Sequence, residues 1–217
     1  MTTELRIAVL GVGLMGAFHV DALSKRIRGA RVTVINDFFP DKASEVAASV
    51  GARVVADPIE AINDPEVDAV LIASPGSAHD EQVNACLDRG IPVLCEKPLT
   101  TDIASAYGIV QRESRLARPL IQVGFMRRFD AEYVALKKLI TDGALGNPLM
   151  VHCTHRNPAV GDHFTSEFMI RDSVVHEVDA VRFLLDEEIT SVQVIKGAAT
   201  SIAPAGTADP MLVIFET

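Results

Sequence analysis

Residues 6–16 read RIAVLGVGLMG, a short apolar run followed by a glycine-rich turn. The run is typical of a buried parallel strand, and the residues after the turn predict a helix that reaches about Lys25. In the G-x-G-x-x-G spacing, Gly11 makes a tight turn, Gly13 lets the backbone approach a pyrophosphate, and Gly16 lets the helix pack on the strand. The phosphates would then meet the positive end of the helix. This motif alone usually marks a flexible turn, but between a strand and a helix it predicts a dinucleotide site.

A second strand, predicted over residues 32–35, leads to Asp37, which lies 21 residues after Gly16. At that spacing a carboxylate accepts hydrogen bonds from the adenosine ribose hydroxyls. A carboxylate there repels a 2′-phosphate, and the next residue is Phe38 rather than an arginine. NAD is therefore predicted over NADP, although Lys42 lies nearby. The alternative is that Asp37 caps the helix that follows.

Strands and helices alternate over about 120 residues, which predicts an α/β fold with a doubly wound parallel (Rossmann) sheet. We assign residues 1–123 to an NAD-binding domain and residues 124–217 to a substrate and oligomerisation domain. Ser77 and Thr101 are expected to cap helices, and Gly90 to end one. Further strands are predicted at residues 53–55, 69–73, 93–95 and 120–123, and further helices at residues 41–50, 58–62, 78–89 and 102–116.

Glu96 and Lys97 follow the apolar strand at residues 93–95, and Pro98 breaks the run. Open α/β sheets bind ligands beyond the carboxyl ends of their strands, so Lys97 is a candidate site residue. Taken alone, Lys97 is better explained as a solvated loop lysine. The cofactor motif before it and an acid–base pair after it favour the functional interpretation.

The pattern changes after residue 123, where an α+β domain with a mostly antiparallel open sheet is predicted. A strand at residues 149–157 would place Cys153, His155 and Asn157 on one face. The chain ends inside this sheet and would leave an edge uncovered, so we expect either a truncation or a partner chain. The other elements are predicted as helices at residues 131–141 and 173–185, and as strands at residues 191–195 and 211–216.

Asp172 and His176 are four residues apart near the start of a predicted helix, which puts them on one face. A carboxylate beside an imidazole orients the ring and raises its basicity. Oxidation of a secondary alcohol needs such a base, and an ammonium such as Lys97 would stabilise the developing alkoxide. The alternative is that Asp172 caps the helix while His176 pairs with Glu177 or Asp179 on a solvated face.

Composition excludes several functional classes. A net charge of −9 and a pI near 5.1 argue against a nucleic-acid partner. No apolar run is long enough to cross a bilayer and no signal peptide is recognised, so a cytoplasmic protein is expected. Cys86, Cys95 and Cys153 show no C-x-x-C spacing, and no H-E-x-x-H is present, so neither disulfides nor a metal site is predicted.

Four segments together resemble the Gfo/Idh/MocA oxidoreductases. They are Gly11-x-Gly13-x-x-Gly16, Glu96-Lys97-Pro98, GFMRRFD at residues 124–130 and Asp172-x-x-x-His176. The resemblance covers essentially the whole chain and, through HRNP at residues 155–158, is strongest to the members that oxidise inositol. It implies NAD-dependent oxidation of a secondary hydroxyl of a cyclitol, foremost myo-inositol to its 2-keto form. A homo-oligomer, a dimer or tetramer, is implied for a complete second domain.

The resemblance also implies roles for individual residues. Lys97, Asp172 and His176 would form the catalytic group, with His176 as the base, and the Lys97–Pro98 peptide bond would be cis. The polyol substrate would contact Lys97, Met126, Arg127, His155, Asn157, Asp172 and His176. The cofactor NAD would contact Gly11, Gly13, Leu14, Met15, Gly16, Asp37, Ser74, Pro75, His79, Glu96 and Lys97.

Two departures from the family pattern bear on these expectations. The loop after the fourth strand reads Ser74-Pro75-Gly76 where the family usually has Thr-Pro-Asn, which would loosen contacts on the nicotinamide side. Family members also carry a longer second domain. The other readings are a related sugar or polyol dehydrogenase, reduction of an aldose or imine at the same site, and a non-catalytic NAD-binding regulatory protein.

Overall fold

The computed structural model describes residues 4–157, 159–162 and 164–217, so Pro158 of the HRNP segment lies outside the described residues. The chain forms two compact units, Met1–Gly124 and Phe125–Thr217. In the described part of the chain, no helix is long and apolar enough to cross a membrane.

The first unit is built on one six-stranded sheet with the order β3-β2-β1-β4-β5-β6, and every neighbouring pair is parallel. This confirms the predicted doubly wound sheet. Its strands are β1 (Leu5–Leu10), β2 (Ala30–Asn36), β3 (Arg53–Val54), β4 (Ala69–Ile72), β5 (Val93–Cys95) and β6 (Ile121–Val123). Its helices are α1 (Leu14–Lys25), α2 (Pro40–Val50), α3 (Pro58–Asn63), α4 (His79–Arg89) and α5 (Ile103–Glu113).

Two cores cover the two faces of this sheet, because successive side chains of a strand point to opposite faces. In β1, Val9 packs with residues of α1 and α2, whereas Leu10 packs with residues of α3, α4 and α5. Both side chains are fully buried. The central strands are therefore apolar on both sides, as a parallel sheet between two helical layers requires.

Two predicted helix caps are wrong, each by one residue. Ser77 lies inside a single 3₁₀ turn, Gly76–Ala78, and α4 begins only at His79. Asp102, not Thr101, caps α5, because its carboxylate accepts a hydrogen bond from the Ser105 N–H at 2.9 Å. Gly90 ends α4 in the left-handed conformation, as predicted.

The second unit combines helices with a small antiparallel sheet. Strands β7 (Ser191–Lys196) and β8 (Met211–Glu216) pair with each other along their whole length. Helix α6 (Ala131–Thr141) packs on α8 (Val175–Leu185), and the short α7 (Ser166–Met169) joins α8 through a π-helical segment, Ile170–Val174.

The predicted strand at residues 149–157 is wrong. The structure assigns no regular element there, and every one of these residues is exposed. An alternating pattern makes a strand only where one face is buried and a neighbouring strand supplies hydrogen bonds. Among the described residues, the two strands of this unit pair only with each other.

The helix predicted to begin at Ser173 begins earlier. Thr165 is the N-cap of α7, and its hydroxyl accepts a hydrogen bond from the Phe168 N–H at 3.1 Å. Asp172 lies inside the continuous α7–π–α8 segment, so the alternative that Asp172 caps the helix is wrong. A threonine followed by a helical run was a usable signal for this start.

We expect Gly16→Ala to destabilise the first unit, because a Cβ atom at this position would overlap the carbonyl oxygen of Gly11. The free energy of unfolding should fall by about 3 kcal/mol, at the upper end of overpacking costs. Urea denaturation measures this change. The matched control is Gly108→Ala in α5, where the added Cβ meets nothing within 4 Å. Gly108→Ala should raise the free energy of unfolding by about 0.5–1 kcal/mol through helix propensity. Equal effects of the two substitutions would contradict this interpretation.

Candidate functional site

The glycine turn between β1 and α1 has the shape that a pyrophosphate needs. Gly11 has a φ of +83°, and a Cβ atom there would lie 2.6 Å from the backbone nitrogen of Ser74. Gly13 is the N-cap of α1 and faces open space, and among the described residues no side chain caps this helix. The N–H groups at the start of α1 are thus left for an anion, so the turn fits the cofactor's phosphates.

Leu14 and Met15, two further predicted cofactor contacts, form the first turn of α1. Leu14 is 88% exposed and Met15 is 43% exposed. Large apolar side chains at the mouth of a nucleotide site are available to cover a bound ligand. Their contact with the cofactor stays a prediction.

Asp37 is anchored to the glycine turn. Its Oδ2 accepts a hydrogen bond from the Val12 N–H at 2.6 Å, and its Oδ1 accepts one from the Phe39 N–H at 2.9 Å. Phe39 is the N-cap of α2, so the alternative that Asp37 caps this helix is wrong. Each carboxylate oxygen has two lone pairs, which leaves acceptors for ribose hydroxyls.

His79 ties together the loops that follow β4 and β5. Its Nε2 lies 2.9 Å from the carbonyl oxygen of Ser74, and its Nδ1 lies 2.8 Å from that of Pro98. The side chain is 1% exposed. His79 therefore holds the loop containing Ser74 and the exposed Pro75 against the Lys97–Pro98 segment, and direct contact of His79 with the cofactor stays a prediction.

The Lys97–Pro98 peptide bond is cis, as the family resemblance implied. Lys97 itself is half-buried at the carboxyl end of β5. The neighbouring Cys95 is not a candidate nucleophile, because burial, helped by the charge of Glu96, raises the pKa of its thiol to about 12.

Glu96 has a partner that sequence reasoning missed. The Nε2 of His19 lies 2.7 Å from the Oε1 of Glu96, and the two side chains are 21% and 13% exposed. A Cβ atom on Gly124 would come within 3.0 Å of the Oε2 of Glu96, so this carboxylate is enclosed. The available signal was spacing, since His19 lies one helical turn after Gly16 on the same side of α1.

In the second unit, Asp172 and His176 flank the junction between the π segment and α8. Asp172 is half-buried within Ile170–Val174, and His176 lies in the first turn of α8. His176 is only 8% exposed, so the alternative that it lies on a solvated face is wrong. Single π turns are frequent at functional sites, because they shift the side chains of one helical turn.

An aromatic and polar cluster surrounds His176. The ring of His155 stacks on it with centroids 6.3 Å apart and an interplanar angle of 23°. The ring of Phe125 meets His176 edge-on, at a centroid distance of 6.5 Å. His155 and His176, two predicted site residues that lie 21 positions apart in the sequence, are thus side by side in this unit.

Glu177 links two of the predicted substrate residues. Its carboxylate forms a bidentate ion pair with Arg127 and lies 3.1 Å from the Nδ1 of His155. Burial opposes the charge of Arg127, but the hydrogen bond and charge of Glu177 raise the pKa of the guanidinium above its usual value. Sequence reasoning named Glu177 only as an alternative partner of His176.

The remaining predicted substrate residues are more open. Met126 is 61% exposed in the 3₁₀ helix Met126–Phe129, and Asn157 is exposed in the segment of residues 149–157. A cavity of about 1080 Å³ in the second unit is lined partly by Cys153, His155, Asn157, Ser173 and Glu177. Most of its wall is apolar, so this polar corner is the part suited to a polyol. Within the described ranges, no group of three or more His, Cys, Asp or Glu is placed to hold a metal ion.

Comparisons with known proteins agree with this geometry. The family described as an oxidoreductase family with an NAD-binding Rossmann fold matches residues 5–125, and its C-terminal domain matches residues 133–217. The chain belongs to the Gfo/Idh/MocA oxidoreductase family. It is 60% identical to an inositol 2-dehydrogenase of Rhodococcus erythropolis over 99% of this chain and 62% of that protein. An inositol 2-dehydrogenase of Rhodococcus jostii is 56% identical, over 100% of this chain and 59% of that protein.

Two solved structures show the same fold. A myo-inositol dehydrogenase of Lactobacillus casei, in complex with NAD(H) and myo-inositol, matches with a TM-score of 0.93 and 35% identity over 98% of this chain and 63% of that chain. A putative myo-inositol dehydrogenase of Sinorhizobium meliloti matches with a TM-score of 0.88 and 32% identity, covering 99% of this chain and 66% of that chain. This family member thus spans about three fifths of the length of the curated relatives, 62% and 59%.

We expect Asp37→Asn to weaken NAD binding by about tenfold or more, because a charge-assisted hydrogen bond contributes about 1.5–3 kcal/mol. The amide oxygen can still accept from the Val12 N–H, so the glycine turn is kept. Affinity for NADP should change less, since the carboxylate no longer repels a 2′-phosphate. Calorimetry with both cofactors measures the ratio. Asp41→Asn, an exposed change in the first turn of α2, is the control and should leave both affinities unchanged. An equal loss of NAD and NADP affinity would contradict a ribose contact.

Proposed function

We propose that this chain is the cofactor-binding part and a share of the substrate site of an NAD-dependent dehydrogenase that oxidises a secondary hydroxyl of a cyclitol. The observation that carries this proposal is the buried His176, stacked on His155 beside the Arg127–Glu177 ion pair, in a chain that also has the glycine turn and Asp37. A base and several hydrogen-bonding groups together suit an alcohol with many hydroxyls. The similarity to inositol 2-dehydrogenases makes myo-inositol the first candidate substrate.

The proposed reaction balances as a two-electron oxidation. Bound NAD would supply the acceptor for the hydrogen and electron pair that leave the carbinol carbon. His176 would take the hydroxyl proton, and the carbon–oxygen bond would become a carbonyl. Asp172 would orient the imidazole, and Lys97 would stabilise the negative charge that develops on oxygen.

The other residues would hold the ring rather than react. Arg127, His155 and Asn157 offer donors and acceptors for the remaining hydroxyls, and Met126 offers an apolar contact to the ring face. On the cofactor side, the glycine turn would bind the pyrophosphate and Asp37 the adenosine ribose. A homo-oligomer and a cytoplasmic location, both expected from the sequence, stay predictions that light scattering and fractionation would test.

Steady-state assays of the complete natural polypeptide test this function. NADH absorbance should rise with NAD and myo-inositol, and scyllo-inositol and glucose test how strict the substrate choice is. If none of these polyols gives NADH, the proposal is refuted. NAD binding without turnover would instead support a regulatory protein that keeps the fold.

We expect Lys97→Ala and His176→Ala each to lower kcat by two or more orders of magnitude while NAD binding stays nearly intact. The reason is that each removes a group proposed to act on the reacting hydroxyl rather than on the cofactor's phosphates. Stopped-flow turnover and calorimetry with NAD measure the two quantities. Lys138→Ala, at an exposed position of α6, is the control and should leave kcat unchanged. A parallel loss of NAD affinity would show a structural role.

A further inference from the structure

We propose that Glu177 is a positioning residue that fixes Arg127 and His155, the two polar arms of the polyol site, beside His176. The inference rests on the proposed function and deepens it. It assigns a role to a carboxylate that does not itself have to touch the substrate.

Both oxygens of the Glu177 carboxylate contact a partner. The Oε2 of Glu177 pairs with the Nη1 of Arg127, and its Oε1 lies 3.1 Å from both the Nη2 of Arg127 and the Nδ1 of His155. The side chain of Glu177 is 12% exposed, and that of Arg127 is 18% exposed. Charged groups this enclosed keep a fixed arrangement, because separating them would leave a poorly solvated charge.

His155 depends on this contact more than a residue in a helix would. It lies in the segment of residues 149–157, which forms no regular element and is exposed throughout. Backbone hydrogen bonds of a helix or sheet therefore do not set its position. Its contacts with Glu177 and with the ring of His176, both supplied by α8, orient it instead.

The same contact selects which nitrogen of His155 remains for substrate. A carboxylate accepts from the Nδ1–H, so Nε2 carries the lone pair in the neutral ring. A ring fixed in this way offers an acceptor to a hydroxyl at Nε2. Without the carboxylate, the imidazole could exchange tautomers and turn about its side-chain bonds.

Arg127 is held in the complementary way. The carboxylate engages two of its nitrogens, and the guanidinium also lies over the ring of Tyr133, 5.6 Å from the centroid. A guanidinium has five N–H groups, so donors remain for hydroxyl oxygens after this pairing. Glu177 thus holds a donor, the guanidinium of Arg127, and an acceptor, the Nε2 of His155, in fixed positions around its carboxylate.

A second ion pair on α8 provides a matched control. The carboxylate of Asp179 accepts from the Nε of Arg128 at 2.9 and 3.0 Å, and its side chain is 6% exposed. Arg128 also lies over the ring of Phe183, at 5.4 Å. Among the described contacts, this pair includes no histidine, so its loss tests stability alone.

The experiment is a double-mutant cycle on the complete natural polypeptide, with Glu177→Gln, His155→Ala and the combination. Glu177→Gln should raise the KM for myo-inositol by about tenfold, as expected for a lost charge-assisted contact, while kcat changes less than threefold and NAD affinity is unchanged. Because Glu177 acts partly through His155, the double variant should show less than the product of the two single effects. Asp179→Asn should lower the melting temperature and leave the KM unchanged.

Other outcomes would overturn the proposal. Independent, multiplicative effects on KM would show that Glu177 does not act through His155, and a KM increase in Asp179→Asn equal to that in Glu177→Gln would show a general structural effect. If Glu177→Gln does not fold, Glu177→Asp keeps the charge but shortens the reach, and it should raise the KM in the same direction. An unchanged KM in that variant would also overturn the proposal.

A readout independent of turnover separates this inference from the proposed function. Nitrogen NMR shifts of His155 should report the Nδ1–H tautomer in the unaltered protein and a mixture in Glu177→Gln. The tautomer result with no polyol oxidation would retain the role of Glu177 and refute the dehydrogenase. Turnover without any tautomer change in Glu177→Gln would refute the role of Glu177 alone.

Discussion

Helix α1 can follow β1 after a turn of only three residues because Gly16 has no side chain where it meets the carbonyl of Gly11. This close approach sets the path of the turn between them. Gly11 in turn lies against the backbone of Ser74, so the ends of β1 and β4 are also brought together. The cofactor side of the first unit follows from these two backbone contacts, because there is no room for a side chain at either point.

Polar contacts then orient individual side chains on the cofactor side of the first unit. Asp37 reaches back to the Val12 N–H, His79 joins the loops after β4 and β5, and His19 pairs with Glu96. Each contact orients a group at the carboxyl edge of the sheet, where open α/β folds bind ligands. The sheet provides the position of the edge, and the side chains provide its chemistry.

The second unit holds its polar groups by a different means. His176 is placed by regular structure, in the first turn of α8 after the π segment. His155 is placed by contacts from that helix, since its own segment has no backbone pairing to hold it. The position of His155 therefore depends on the carboxylate of Glu177 as well as on the helix that carries this carboxylate.

The sequence by itself determined the parallel sheet, most of the helices and the glycine turn. It also determined that Asp37 follows the end of β2 and that the chain belongs to the Gfo/Idh/MocA family. These features depend on local rules, namely the two-residue period of strands, the turn preference of glycine and the spacing of short motifs. Local rules misplaced the caps of α4 and α5, the start of the helical segment predicted at Ser173, and the strand at residues 149–157. A strand needs a neighbouring strand, and a cap needs free N–H groups within reach, and neither condition is visible in a short stretch of sequence. Only the tertiary structure decided that Glu177 joins Arg127, 50 residues away, to His155, and that His19 meets Glu96. Pairing between distant residues depends on how packed elements bring charges together in space, and no single stretch of chain contains that information.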